Sequence, residues 1–310
     1  MSPLDPHSPA ARDIATLWWW MLAAAAIVFA GAIALLWLGW RRRGEPGLPW
    51  IGESERFNTG LVVAFGMVIP AVVLSALFVG ANLVVMRDTE PPSRSATAMT
   101  IVAIGHQWWW EFRYPESGVV TANELHIPAS TSVNLEARSA DVIHSFWVPE
   151  LNRKIDMVPG QRNRIELYAE HAGTYRGQCA EFCGLQHANM AFNVVAEPQS
   201  GFQSWLRQEQ APAEPPQGAE AVAGMRAFME GACASCHTIS GTEARGTVGP
   251  DLTHVASRAT LAALTGPNRH GFLDQWISDP QSIKPGSKMP GLELTEAQFR
   301  SLVAYLSGLR

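Results

Sequence analysis

The chain has 310 residues, 47% of them hydrophobic, and a net charge of −5. That length accommodates two or three folded units, and so dilute a negative charge argues against nucleic acid as a partner. The four cysteines form two close pairs, Cys179/Cys183 and Cys233/Cys236. Disulfides within such short spans have doubtful structural value, and both pairs sit in sequences that suggest cofactors.

Residues 1–16 are short and polar. From Ile14 to Trp40 there is no charged residue, a run long enough to cross a hydrocarbon layer of about 30 Å. It is too long for the apolar core of a signal peptide and has no basic region ahead of it. Trp18–Trp20 and Trp40 fit aromatic belts at the two interfaces. Arg41–Arg43 and Arg56 give the following loop four positive charges, against one, Arg12, before the helix. The positive-inside rule therefore puts that loop in the cytoplasm and the N-terminus outside. Phe57–Met86 is a second uncharged run, interrupted only by Pro70, which a membrane helix tolerates when neighbours satisfy the freed carbonyl. Residues 1–90 thus predict a transmembrane hairpin, with helices over about 15–40 and 59–86, and everything after Arg87 returns to the outer face.

Over residues 97–197 the pattern changes to alternation. Val133, Leu135 and Ala137 alternate with Asn134, Glu136 and Arg138, and Ile165 and Leu167 alternate with Arg164, Glu166 and Tyr168. These read as half-buried strands, and breakers at Pro115, Pro128, Pro149, Pro159–Gly160 and Gly173 punctuate a sandwich of roughly seven to nine strands. A short helix over Phe202–Gln208 closes this unit, residues 91–208. Glu209–Gly218, EQAPAEPPQG, reads as an extended linker rather than a packed segment. Residues 219–310 are helical, and the last helix is announced by a Thr295/Gln298 capping box with Phe299, Leu302, Val303 and Leu306 on one face.

Two stretches carry chemistry. Cys233-Ala-Ser-Cys236-His237 is a C-x-x-C-H signal for covalent c-type haem, with His237 as the proximal ligand. A zinc site would need two further ligands and a thioredoxin-like pair a βαβ setting, and neither is present. For the opposite axial position the candidates are Met225, Met229, His254, His270 and Met289, the last in the Pro/Gly loop KPGSKMPG. Met opposite His raises the reduction potential. The second stretch, Cys179–Met190 (CAEFCGLQHANM), gathers two thiols, an imidazole and a thioether. Such soft donors suit copper. A type 1 site uses a single thiolate, whereas two thiolates can bridge two copper ions, each of which needs an imidazole. His187 supplies one; His106, His126, His144, His171 and His7 are the others outside the haem unit, and the pattern alone does not choose among them.

With these motifs in view, residues from the hairpin to 197 resemble subunit II of the haem–copper cytochrome c oxidases, which carries a binuclear CuA centre. The resemblance rests on GHQWWWEF (105–112), DVIHSFWVP (141–149), KIDMVPGQ (154–161) and CAEFCGLQHANM. It implies a cupredoxin-like sandwich with His144, Cys179, Cys183, His187 and Met190 as side-chain copper ligands and the Glu181 carbonyl completing the set. It also implies that the Glu181 side chain helps bind magnesium against subunit I, and that cytochrome c electrons enter through Trp108. Residues 219–310 resemble class I cytochrome c domains through CASCH, VGPDL and GSKMP, which implies Met289 as the axial ligand and places the fusion with the caa3-type oxidases. One departure is FNTGLVVAFG at the start of the second helix, where many relatives carry a carboxylate that feeds a proton channel. The chain as given also carries no lipoprotein-type N-terminal cysteine, and no lipid anchor is expected on it.

The resulting expectation is an electron-entry subunit in a bacterial plasma membrane, with both metal domains on the periplasmic face. Its partners are subunit I, which reduces oxygen to water with proton pumping, subunit III and other oxidase subunits, the lipid bilayer, and cytochrome c or another respiratory complex as donor. The chain itself performs no oxygen chemistry, since its membrane runs contain no histidine. A nitric oxide reductase subunit of the same ancestry is the nearest alternative. A membrane-tethered copper chaperone or a quinol oxidase subunit II fits Met190, Glu181 and the fused haem unit less well.

Overall fold

The computed structural model describes residues 2–44, 54–86, 97–269 and 271–310. Two helices are long and apolar enough to cross a membrane, Pro9–Arg41 and Glu55–Leu83. The first, α1 (Pro9–Arg41), starts six residues before the expected position, at a proline whose fixed φ suits the first helical turn. The second run opens with α2 (Glu55–Val63), where the Ser54 side chain caps the Phe57 N–H. It widens into a π turn over Ala64–Val68, continues as α3 (Ile69–Gly80) and ends in a second π turn, Ala81–Met86. The first π turn lies immediately ahead of Pro70, where the missing N–H and the ring disturb the regular ladder. A local π adjustment absorbs that disturbance. Trp20, Phe29, Leu36, Val62, Phe65 and Leu74 are exposed along these helices, as befits segments whose solvent is lipid.

Ten strands build the next unit: β1 (Met99–His106), β2 (Trp109–Tyr114), β3 (Val119–Ala122), β4 (Glu124–Pro128), β5 (Val133–Ser139), β6 (His144–Trp147), β7 (Ile155–Met157), β8 (Asn163–Leu167), β9 (Gly173–Cys179) and β10 (Ala191–Glu197). They form two five-stranded sheets, ordered β3-β2-β1-β5-β8 and β4-β10-β9-β6-β7. Both sheets are mixed, with β1–β5 and β4–β10 parallel and the remaining pairs antiparallel. This is the cupredoxin-like sandwich.

The count exceeds seven to nine, and the stretch 119–128 contributes two of the ten strands, β3 and β4. Asn123 stands at φ 62° between β3 and β4, its side-chain oxygen accepts from the Trp110 N–H at 2.9 Å, and the chain crosses there from one sheet to the other. Asparagine tolerates this left-handed conformation better than most residues. The alternation along β5 also misled, since Asn134 and Glu136 are buried along with Val133, Leu135 and Ala137. Central between β1 and β8, β5 pairs these groups locally, the Asn134 amide N–H donating to Thr100 Oγ1 and Glu136 accepting from Arg138, while the Asn134 amide oxygen is left without a partner.

The sandwich core is aromatic. Phe192 packs against Phe146, Trp110 and Phe112 at ring-centroid distances of 4.7, 4.8 and 5.7 Å. Helix α4 (Gln199–Gln210), longer than expected at both ends, buries Phe202 in this core and stacks Trp205 on His126 at 4.1 Å. The linker that follows is extended but not unpacked. Its Ala213 N–H donates to Ser240 O, and its Ala211 carbonyl lies 3.0 Å from His254 Nε2. Backbone polar groups without a sheet partner take side-chain and loop partners instead.

The last unit is the helical cytochrome c domain: α5 (Ala219–Glu230), the short α6 (Cys233–Cys236), α7 (Phe272–Ser278), α8 (Pro280–Ile283) and α9 (Glu296–Ser307). The capping box is present, with Thr295 Oγ1 accepting from Gln298 N and Gln298 Oε1 accepting from Thr295 N. Leu302, Val303 and Leu306 are buried against Phe228 of α5 and Leu273 and Ile277 of α7. Helices α5 and α9 cross at Gly224, where a Cβ would lie 1.8 Å from the Ser301 carbonyl oxygen, so only glycine permits this approach.

Candidate metal centres

The first centre is organised by a strand pair. Cys179 is the last residue of β9 and Met190 directly precedes β10, and the Cys179 N–H donates to the Met190 carbonyl at 2.9 Å. That bond closes the intervening segment into a loop, tightened by a 3-10 turn over His187–Asn189. On the other side β6 pairs with β9 in the register Phe146↔Cys179, which carries His144, two residues earlier, to the same end of the sheet.

Six donor atoms converge as a result. Cys179 and Cys183 Sγ are 3.8 Å apart and unbonded. His144 Nδ1 lies 3.9 Å from Cys179 Sγ, and His187 Nδ1 lies 3.6 Å from Cys183 Sγ. Met190 Sδ is 3.8 Å from Cys183 Sγ, and the Glu181 carbonyl is 3.2 Å from Cys179 Sγ. Both sulfurs, His144 and Met190 are buried. The other histidines lie elsewhere: His106 pairs with Glu111, His126 with Glu197, His171 is exposed, and His7 is beside Asp5.

Electrostatics at this end of the sheet suit cations. The Cys183 thiol, donating to Cys179, and the nearby His144 draw the Cys179 thiol far below its ordinary range. Once that thiolate exists, its proximity and the burial hold the second proton on Cys183. The pair therefore ionises in two coupled steps, and full deprotonation calls for positive charge beside both sulfurs.

One residue went unassigned in the sequence reading. Asp141 Oδ1 lies 2.8 Å from His144 Nε2, fixing the imidazole so that Nδ1 faces the sulfurs. Burial pushes Asp141 up, but hydrogen bonds from His144 and from the Gln107 and Val142 N–H groups more than offset it and bring it to about 2. Burial lowers His144, and its bonds to Asp141 and Cys179 outweigh this and raise it. A ligating histidine ordinarily bonds a carboxylate or carbonyl through its second nitrogen, so the acid three residues before His144 was a usable signal. Gly105 was another. A Cβ there would lie 2.8 Å from the His144 ring, so this glycine gives the imidazole its place.

Trp108 adjoins the centre. Its Nε1 donates to the Cys183 carbonyl at 3.0 Å, and Gln107 Nε2 donates to the same oxygen at 2.8 Å. The ring also lines the second centre, a cavity walled by Cys233, Cys236, His237 and Met289 together with Gln107 and Trp109. Pro250 O lies 2.7 Å from His237 Nδ1, which leaves Nε2 as the free nitrogen. Burial lowers the His237 pKa, and the Pro250 bond offsets part of that. A neutral imidazole held by a carbonyl, beside two thiols on α6 and a thioether in the same cavity, fits covalent haem with axial His and Met. Met225 and Met229 pack with the helical core instead, and His254 turns Nε2 to the linker. His270 lies outside the described residues.

Comparison with known proteins places a family on each of the two units that carry these residues. Residues 118–197 match the cytochrome c oxidase subunit II periplasmic domain, and residues 221–310 match cytochrome c. Cytochrome c oxidase subunit 2 of Alkalihalophilus pseudofirmus is 34% identical, and the match covers 100% of this chain and 91% of the relative. The chain belongs to the cytochrome c oxidase subunit 2 family. The Bacillus subtilis subunit 2 is 30% identical over 87% of this chain and 79% of its own length. Among solved structures, the periplasmic domain of subunit II of cytochrome oxidase from Bradyrhizobium japonicum is 30% identical, covering 38% of this chain and 96% of that one, with a TM-score of 0.37. As a subunit 2 with a fused cytochrome c domain, this protein is an electron-transfer subunit of a terminal oxidase, part of a membrane-anchored oxidoreductase complex.

Proposed function

We propose that the chain takes electrons from cytochrome c or another respiratory complex through a covalent haem c and delivers them, by way of a binuclear copper centre, to haem in subunit I for reduction of oxygen to water coupled to proton pumping. The observation that carries this reading is the convergence of six donor atoms at one end of the sandwich: two sulfurs, two imidazole Nδ1 atoms, a thioether and a carbonyl. In it, Cys179 and Cys183, with His144, His187, Met190 Sδ and the Glu181 carbonyl, would hold a pair of copper ions. A copper pair held there would supply one-electron transfer with little nuclear rearrangement.

The chain's own residues prepare for this. Asp141 fixes the His144 tautomer, Gln107 and Trp108 hold the Cys183 carbonyl, and the sandwich excludes water from the sulfurs. Cys233 and Cys236 would attach the haem, and His237 and Met289 would bind its iron. Trp108, touching both centres, is the electron entry to copper. The Glu181 carboxylate would help hold a magnesium ion against subunit I. The chain sits in a bacterial inner membrane through two helices, with its N-terminus and both metal domains in the periplasm, in contact with subunit I, subunit III and other oxidase subunits.

The test is metal analysis of the purified complex with electron-spin spectroscopy. Two coppers per chain beyond those of subunit I, with hyperfine splitting from both nuclei, are expected; a single copper at this site removes the binuclear assignment. Oxygen consumption measured against nitric oxide consumption then separates an oxidase from a nitric oxide reductase.

A further inference from the structure

Two buried charged side chains join the sandwich to the cytochrome c domain, and they reach in opposite directions. Lys284, between α8 and the Met289 loop, is buried and donates to three backbone carbonyls: Trp108 O at 2.8 Å, Asn189 O at 2.8 Å and Ala262 O at 2.9 Å. Trp108 and Asn189 belong to the copper domain, and Ala262 to the haem domain. An ammonium has three donors, and all three are taken. From the copper domain, the buried Glu124 carboxylate accepts the haem-domain N–H groups of Ala259 at 2.8 Å and Thr260 at 3.2 Å. Buried charges are rare unless fully partnered, so both are built features.

Between these two points the surfaces fit. Gln186 Nε2 of the copper loop donates to Pro285 O at 2.9 Å. Gly286 lies against Trp108 and Leu185, its Cβ position 3.6 Å from the Trp108 ring. The segment carrying Met289 therefore packs against Trp108 and leans on the loop that carries His187 and Met190.

We propose that Lys284 and Glu124 are reciprocal clasps that seat the haem domain over Trp108, making it a fixed electron donor to the copper centre rather than a tethered one. Both are positioning residues. This rests on the copper and haem assignments above. It further implies that an external donor reduces the haem and has no access to Trp108.

The test uses the intact oxidase complex carrying the wild-type chain, Lys284→Met or Glu124→Ala. Copper content and haem absorption are measured first; if the wild-type complex lacks either cofactor, the functional reading fails while the next measurement still judges the clasps. That measurement is cleavage after the half-buried Glu209 at the head of the linker, where Gln210 follows, by a glutamate-specific protease, expected to accelerate severalfold in each variant as the domain undocks. With both cofactors loaded, haem-to-copper transfer after flash reduction of the haem is expected to slow by about 10- to 100-fold and to become sensitive to viscosity, because the two groups no longer keep one geometry. Wild-type cleavage and wild-type transfer in both loaded variants overturn the proposal. Should one variant fail to retain haem, the other decides by the same two readouts.

Discussion

Asp141 shows how a single side chain prepares a metal site. It holds His144 Nε2 at 2.8 Å and receives the Gln107 and Val142 N–H groups, so Asp141→Asn should weaken copper binding by about 10- to 100-fold. Competition with a chelator of known affinity measures this, and an unchanged affinity excludes the orienting role. The same residue gives a pH signature in metal-free protein. Its carboxyl titrates near 2 in the folded chain against 3.8 ordinarily, so its contribution is complete above about 3.8 and is lost as pH falls toward 2. After discounting for solvent screening that contribution is on the order of 1 kcal/mol. Acid unfolding of wild type and Asp141→Asn should therefore converge at the acid end. Met289→Ala should keep the haem attached through Cys233 and Cys236 while lowering its reduction potential and changing its absorption. An unchanged spectrum in a redox titration assigns the sixth position to another residue, such as His254.

At the scale of elements, close approach and register do most of the positioning. The α5–α9 crossing leaves no room at Gly224, so Gly224→Ala must push the helices apart and should cost about 1–3 kcal/mol, seen as a lower unfolding temperature of the cytochrome c domain. The capping box of α9 was readable because its partners are three residues apart. Strand count was less so. The β3–β4 break depends on one asparagine at positive φ, and a composition pattern spanning residues 119–128 gives no sign of it. The buried Asn134 and Glu136 illustrate a related limit: alternation reports which face is apolar, and neighbouring strands decide whether the other face meets water. Similarly, Pro70 announced a disturbed helix, and the form it takes, a π turn just ahead, is a choice made by the backbone.

For the whole molecule, charge distribution and domain docking matter most. By the positive-inside rule the arginine cluster at Arg41–Arg43 is expected to orient the hairpin, so replacing all three with serine should produce a fraction of chains inserted the wrong way round. A reporter fused after Arg310 and active only outside the membrane reads that fraction; unchanged full activity assigns orientation to other determinants. The linker shows where sequence reasoning stops. Its Pro-rich composition reads as unpacked chain, yet Glu209 and Gln210 continue α4, and Ala211 and Ala213 bond to the domain that follows.

The residues that bear donors were legible by themselves. C-x-x-C-H and the Cys179–Met190 spacing are local patterns, because haem attachment and soft-metal binding need particular atoms a few residues apart. Membrane runs and strand periodicity are equally local, since each follows from the solvent that a segment meets. The sequence alone did not choose among five histidines; a family resemblance named His144, and its place beside Cys179 comes from the β6–β9 register. Asp141 behind that histidine, the glycine beneath it, and Lys284 reaching Trp108 from 176 residues away emerge only from the tertiary structure. Contacts at such separation depend on how sheets and domains pack, and packing leaves no periodic trace in the chain.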